Sequence, residues 1–354
     1  MYDIGLQSKK TIFELHINRV QKALQLATGR NRSDRIPSLP IYIMTSDLND
    51  KIIKSFFETH NYFAYPKEDI FFFEQGLEPC LSYDEKLLIE SDRSLCMAPD
   101  GNGGIYNALN RTGALTDMLR RGVEHLHVYG IDNVLTKAAD PAFIGLCISK
   151  GAECGNKVVW RDDKSEKVGV TVEVDCRMNI IEYSEIGTEL GEATDASGKL
   201  IYGAANICNH YLSVEFIRRV MPDLKKMYHI ADKKIAFYDP LTKLRMVPES
   251  NNGMKLEMFI FDIFQFAEKW IVLEVNREDE FAPVKNAPGS CSDSPDTARI
   301  LISAQAKRWL QAAGANIEDV TPPAACELSP LLTYFGEDLD EFSGQVLVPP
   351  FYLE

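Results

Sequence analysis

Leu39-Pro40-Ile41-Tyr42-Ile43-Met44 is an unbroken apolar run, closed by Thr45-Ser46 and followed by Asp50 to His60, where Ile52, Ile53, Phe56 and Phe57 fall on one side. An apolar run of that length between polar residues reads as a buried strand, and the spacing after it reads as a helix. The alternation continues in both directions. Ser8 to Gly29 is predicted to be helical on Ile12, Phe13, Leu15, Val20, Ala23 and Leu24, with Gly29 as its stop and Asn31 to Ser38 as a polar loop. Ile70-Phe71-Phe72-Phe73 gives a second strand, Thr112 to Arg121 a helix stopped by Gly122, and His125-Leu126-His127-Val128-Tyr129 a third strand. Strands and helices alternating at this pace predict βαβ units, an α/β fold and a mainly parallel sheet.

The middle of the chain changes character. Lys157 to Trp160, Gly169 to Val174 and Asn179 to Tyr183 read as consecutive strands with short turns, an antiparallel extension of the sheet. Lys255 to Lys269 is predicted to be a helix, because Leu256, Phe259, Ile260, Ile263, Phe264 and Ala267 recur at helical spacing. Trp270 to Val275 follows as a strand, and Asp296 is expected to cap a helix ending near Gly314. Glu318 to Glu354 is Pro-rich, acidic and short-stranded. A domain boundary is expected near Pro283.

The chain has 354 residues, 45% of them apolar and 25% charged, enough to bury a sizeable core. Lys and Arg number 38 against 52 Asp and Glu, a net charge of -14 that argues against a general nucleic-acid binder. A small phosphorylated substrate needs only local cations and stays open. No run approaches the ~18 apolar residues of a membrane span, and the opening Met1-Tyr2-Asp3-Ile4-Gly5 does not read as a secretory signal. The eight cysteines form no CxxC pair and read as reduced thiols of a cytoplasmic protein.

Several residues are suited to chemistry. In Met97-Ala98-Pro99-Asp100-Gly101-Asn102-Gly103-Gly104-Ile105-Tyr106, three glycines in four positions let backbone approach a ligand, and Asn102 adds a donor and an acceptor. The competing reading is an ordinary tight turn before a helix. Val128-Tyr129-Gly130-Ile131-Asp132-Asn133 runs a strand straight into Asp132. Ligands of open α/β sheets sit at that end of a strand, where a carboxylate can hold Mg²⁺ beside phosphates. It could equally cap a turn. Lys255, at the start of the expected helix, and Lys285 are candidates for phosphate contacts or plain surface lysines. His125 and His127 share a strand face without a third ligand nearby and read as structural. There is no Walker A loop, and no G-x-G-x-x-G follows a strand with an acid ~20 residues on, which weakens a dehydrogenase reading.

Taken together, Gly5-Leu6 with Lys10-Thr11, Phe73-Glu74-Gln75-Gly76, Met97 to Tyr106, His127 to Leu135, Ile181 to Ile186, Asn206 to His210, Phe261 to Phe266 and Arg277 to Asn286 resemble the eukaryotic UDP-N-acetylglucosamine pyrophosphorylases. The resemblance spans nearly the whole chain. It implies a Rossmann-like nucleotidyltransferase domain over residues 1–282 and a small β-rich C-terminal domain over 283–354. The implied reaction joins UTP and N-acetylglucosamine 1-phosphate to give UDP-N-acetylglucosamine and pyrophosphate, assisted by Mg²⁺. Carried over by motif, Gln75 and Gly101 match the uracil-reading positions and Asn102 a sugar contact. Asp132 matches the carboxylate at the phosphates and metal, and Glu182, Tyr183 and Asn206 match the amino-sugar pocket. Lys255 and Lys285 match phosphate-side lysines, Lys255 with a catalytic part. Family members also carry, ahead of the segment matching Met1-Tyr2-Asp3, a strand and a glycine-rich loop of the L-x-G-G-x-G-T-R-L-G type. Against that pattern the chain reads as N-terminally truncated and as weakly active or inactive alone. A non-catalytic form that binds sugar nucleotide, or pairs with a full-length subunit or another copy, is the alternative.

Overall fold

The βα units that open the chain are built as their patterns require. A computed structural model describes residues 1–29, 39–161, 163–319 and 325–354, so the loop expected at Asn31–Ser38 lies outside the described residues. Helix α1 (Ile12–Thr28) ends at Gly29, whose left-handed backbone makes the expected stop. Strand β1 (Ile41–Thr45), helix α2 (Asp50–Thr59) and strand β2 (Ile70–Glu74) follow, with β1 and β2 parallel. Helices α3 (Ile105–Arg111) and α4 (Ala114–Arg120) lead into β3 (His125–Tyr129). Next come α5 (Pro141–Ser149), β4 (Cys154–Trp160), the hairpin β5 (Val170–Val174) and β6 (Arg177–Ile181), and β7 (Ala204–Ser213). Helix α6 (Val214–Val220), β8 (His229–Lys233), β9 (Gly253–Glu257) and β10 (Trp270–Glu274) complete the middle. Helix α7 (Pro295–Ala312) and the parallel pair β11 (Cys326–Leu328) and β12 (Phe351–Leu353) come last.

Strand β7 organises the main sheet. One of its edges runs antiparallel to β4; the other takes β5 on its first half and β3 on its second. A bulge between Asn206 and His210 separates the halves, and β10 adds to β4 in parallel. The sheet is mixed, but among the described residues its pairings are mainly antiparallel rather than mainly parallel. The cause is β7 itself: lying between β3 and β4, it leaves those two strands pointing the same way while making both contacts antiparallel. The β1–β2 pair is not hydrogen-bonded to this sheet among the described residues. Both faces are nevertheless shared, since Ile41 and Ile43 pack with Tyr129 under α1, and Tyr42 and Met44 pack with Leu126 on the other side.

Two expected elements differ. Lys255–Lys269 is not one helix but strand β9 followed by a short 3₁₀ segment, Ile260–Phe266. Ile260, Ile263, Phe264 and Ala267 all reach the central core, so the apolar spacing reported burial correctly. A 3₁₀ turn satisfies i, i+3 spacing as an α-helix does, and Gly253 and Asn252 favour a turn into a strand over a helix start. Helix α7 is capped by Ser294, whose Oγ accepts the Thr297 N–H (3.3 Å), and not by Asp296, which lies in its first turn and pairs with Arg299. Ala298 of α7 joins a core with Ile4, Leu6, Val134, Leu135 and Ala282. No helix among the described residues is long and apolar enough to cross a membrane.

Three histidines, His16 and His210 buried and His127 half-buried, carry a pH signature. His127 accepts the Ala139 N–H at Nδ1 (3.0 Å) and donates from Nε2 to Asn209 (2.7 Å), which gives it the structural role expected. His210 donates to Asn156 (2.8 Å) and His16 to the Ile131 carbonyl (3.2 Å). Burial pulls His127 down to about 4, and His16 and His210 to about 3. These lie below the ~6.5 of a free imidazole, so the unfolded chain takes up protons first as pH falls. The stability contributed by neutral histidine is complete above pH ~6.5 and should drain away as pH falls toward the folded values, by up to ~1.4 kcal/mol per pH unit for each ring. Guanidinium midpoints between pH ~7.5 and ~4.5 test this; a flat profile would mean that these rings are not held neutral.

Candidate active site

The site is built where β1, β2 and β3 end, beside the bulge inside β7. At its first corner β2 runs into Gln75-Gly76. The Gln75 N–H donates to the Thr45 carbonyl (2.9 Å), and Arg111 holds the carbonyls of Glu74 (2.8 Å) and Gln75 (3.2 Å), which leaves the Gln75 side chain unused by the turn. The glycine-rich segment crosses beside it. Asp100 donates its N–H to Gly76 (3.2 Å) and takes the Met258 N–H on its carbonyl (2.8 Å), and Gly103 N–H returns to the Met258 carbonyl (2.8 Å). Gly101 has φ +84°, and a Cβ there would collide with the Met258 backbone. Gly76 and Gly104 leave the space that the Asp100 carboxyl fills; a Cβ at either would strike it. Burial pushes that carboxyl upward, and its Oδ1 has no hydrogen-bond partner. Asn102 is exposed, yet its Oδ1 already accepts the Ile260 N–H (2.9 Å).

At the second corner β3 ends at Tyr129, and the Gly130 N–H meets the Cys208 carbonyl in the β7 bulge (3.1 Å). Asp132 is half-buried, with its carboxylate folded over Gly130. The irregular segment through Lys285 is fastened to this loop. Val284 donates to the Asp132 carbonyl (3.0 Å), and Asn133 takes the Ala282 N–H (2.8 Å) while donating to the Glu280 carbonyl (2.7 Å). Burial and the Asp132 charge push the Cys208 thiol up to about 11, with Lys285 pulling the other way, so both charges face Cys208. Glu182 lies over Gly169, whose carbonyl takes the Asn206 N–H (2.8 Å), and Asn206 Oδ1 takes the Cys208 N–H (3.1 Å). Burial and Glu185 raise the Glu182 carboxyl; His229 and Lys285 oppose them.

The charges of Asp132 and Lys285 therefore act on Cys208, whose N–H Asn206 holds, and Lys285 also acts on Glu182. Gln75, Gly101 and Asn102 meet at the first corner. Tyr183 is exposed beside Glu182. Lys255 stands apart: it is mid-strand in β9, paired with Ala231, so no helix N-terminus assists it, and its charge falls on the buried Cys80 thiol. Asp100, Glu185, His229, Phe259 and Asp262 also line the site and were not singled out in the sequence. Reading 255–269 as a helix hid the last two, because a helix puts Phe259 and Asp262 almost on one face with Lys255.

A model of one family, UTP–glucose-1-phosphate uridylyltransferase, matches residues 2–323. The chain belongs to this family. Curated members of the uridylyltransferase family bear out the closer resemblance. The UDP-N-acetylglucosamine pyrophosphorylase of Saccharomyces cerevisiae is 40% identical over 98% of this chain and 72% of its own length. UDP-N-acetylhexosamine pyrophosphorylase-like protein 1 of Xenopus tropicalis is 42% identical over the whole chain and 72% of its own length. The solved structure of the uridine diphosphate N-acetylglucosamine pyrophosphorylase of Trypanosoma brucei, in complex with an inhibitor, superposes with a TM-score of 0.83 at 31% identity, over 95% of this chain and 70% of that one. The uridylyltransferase family thus supplies a nucleotidyltransferase framework on which both corners lie.

Proposed function

We propose that the chain joins UTP to N-acetylglucosamine 1-phosphate, releasing pyrophosphate, on a Rossmann-like domain formed by residues 1–282 with 283–354 as a small C-terminal domain. The observation that carries this reading is that the segment bearing Lys285 is bonded to Asp132 at the carboxyl end of β3, with Lys285 within electrostatic reach of Glu182 and with Asn206 holding the adjacent Cys208 N–H. The Gln75 amide and the Gly101 backbone pair with the imide edge of uracil. Glu182, Tyr183, Asn206 and Asn102 take the hexosamine hydroxyls and acetamide. A sugar-phosphate oxygen attacks the α-phosphorus in line; its P–O bond forms as the bond to pyrophosphate breaks. Lys285 neutralises the polyanions and holds them in reach, so the work is positioning and charge stabilisation.

The donor set suits magnesium. Among the described residues no three His, Cys, Asp or Glu side chains cluster as a metal cage, and Asp132 offers one hard carboxylate beside the phosphate corner. Mg²⁺ commonly takes one or two carboxylates and draws its other ligands from phosphates and water. Bound there, it supplies charge neutralisation at the reacting phosphates.

Residues 1–354 assayed with UTP, N-acetylglucosamine 1-phosphate and Mg²⁺ should release pyrophosphate only when all three are present. Silence in that assay, with no heat on titrating UDP-N-acetylglucosamine, would sink the reading. Binding without turnover is the second reading, favoured by the edges of β1 and β3 that no strand pairs among the described residues; it predicts the heat without the release. Asn102→Ala should weaken binding of the sugar phosphate by ~1–3 kcal/mol. Since the same amide holds the Ile260 N–H, it should also lower the melting temperature. Weakened UTP binding with unchanged sugar binding in calorimetry would reverse the assignment of Asn102.

A further inference from the structure

His229 opens β8 and reaches across to two other parts of the chain. Its Nε2 bonds Asp262 Oδ1 (2.9 Å), and its Nδ1 lies 3.5 Å from Glu185 Oε1. Its ring packs on Phe259, centroids 4.5 Å apart. Asp262 is nearly buried, and its second oxygen takes the Phe259 N–H (2.8 Å). The next residue, Ile260, is the one whose N–H Asn102 holds. A single imidazole thus fastens the Phe259–Ile260 turn, the three-stranded sheet of β8 and the segment that carries Glu182.

We infer that His229 is a positioning residue for the sugar side of the site, acting through Asp262. The inference rests on the uridylyltransferase reading above and extends it to a residue that touches no substrate in the mechanism. Three carboxylates, Glu182, Glu185 and Asp262, crowd this corner; the Lys285 charge acts on Glu182, and the His229 ring lies between Asp262 and Glu185. Without the imidazole, Asp262 keeps only the Phe259 N–H, and nothing stands between it and Glu185. The turn that Asn102 grips then loses its second anchor. Of the first corner, Gln75 and Gly101 do not depend on His229, because Arg111 and the Gly76–Asp100–Met258 backbone bonds hold them.

The test compares UDP-N-acetylglucosamine with UDP by calorimetry, so that the ratio of the two affinities isolates the sugar. In His229→Ala that ratio should fall ~10-fold or more, as expected when a hydrogen bond to a charged group is lost, while UDP affinity changes less than ~3-fold. His229→Gln, whose amide N–H can reach the place of Nε2, should recover most of the ratio. Asp262→Asn keeps an acceptor for Phe259 and should reproduce His229→Ala; it also carries the test should the alanine variant fold poorly. The double variant should lose no more than either single one. An unchanged ratio in His229→Ala and Asp262→Asn, or an equal loss for both ligands, overturns the inference. A wild-type chain without preference for the sugar nucleotide overturns the functional reading itself, a failure distinct from one seen only in the variants.

Discussion

Asp132→Asn should lower the rate of pyrophosphate release by at least ~10²-fold, since a charge-stabilising metal supplies several kcal/mol in such sites. The substitution is nearly isosteric. It leaves the Val284 N–H to Asp132 carbonyl bond in place, and the new amide occupies the room that Gly130 leaves open. Folding and the segment through Lys285 should be undisturbed, so the loss should be one of charge. The variant should bind uridine nucleotides in the absence of Mg²⁺ about as well as the parent, and excess Mg²⁺ should not restore its rate. A near-normal rate would remove Asp132 from the site.

Lys157→Met should cost ~3–5 kcal/mol of stability, the range seen when one member of a buried ion pair is removed. Lys157 is fully buried in β4, with its ammonium between Asp140 and Glu280 and Phe143 beneath it. Burial alone would raise the Asp140 carboxyl. The Lys157 charge, with the Ala142 and Phe143 N–H groups at the start of α5, more than offsets it and holds Asp140 below the usual carboxylate range. Methionine fits the space but strands both carboxylates, with only Lys137 (3.2 Å) left to Glu280. Because Glu280 immediately precedes the segment that is fastened to Asp132 and carries Lys285, the cost should reach the site as weakened binding of phosphate ligands. Urea unfolding of the parent, of Lys157→Met and of the triple variant with Asp140→Asn and Glu280→Gln measures this. The triple variant should regain part of the loss, and a single-variant cost below ~1 kcal/mol would show that the ammonium does not hold the pair.

Local patterns made the alternating half of the fold legible. β1, α2, β2 and β3 follow from apolar runs and helical spacing that neighbours in space do not contradict. The sheet direction was not legible, because nothing local in Ala204–Ser213 says that it runs between two strands that point the same way. The helix expected over 255–269 failed for a related reason: spacing of three and four reports which side chains are buried, and a strand leading into a 3₁₀ turn buries the same ones. Asp132 and Lys285 could be singled out by motif, but 153 positions separate them. What joins them is the Asn133 and Val284 bonding, which leaves no trace in spacing. Asp262 and His229 were missed for the same reason, being ordinary polar residues until the turn between them is folded.

The space left by Gly76 and Gly104 and filled by Asp100 constrains how this corner can drift. A methyl group at either glycine collides with the carboxyl, and a shorter side chain at position 100 opens a hole between two backbone segments. Positions 76, 100 and 104 are therefore one unit of inheritance although they are scattered along the chain. Any path to a different trio passes through an intermediate that is overfilled or hollow. Across lineages these positions should change together or stay put, while the side chains around them are exchanged one at a time. Altered base preference would then come from residues facing the ligand, with the backbone that frames them handed on unchanged.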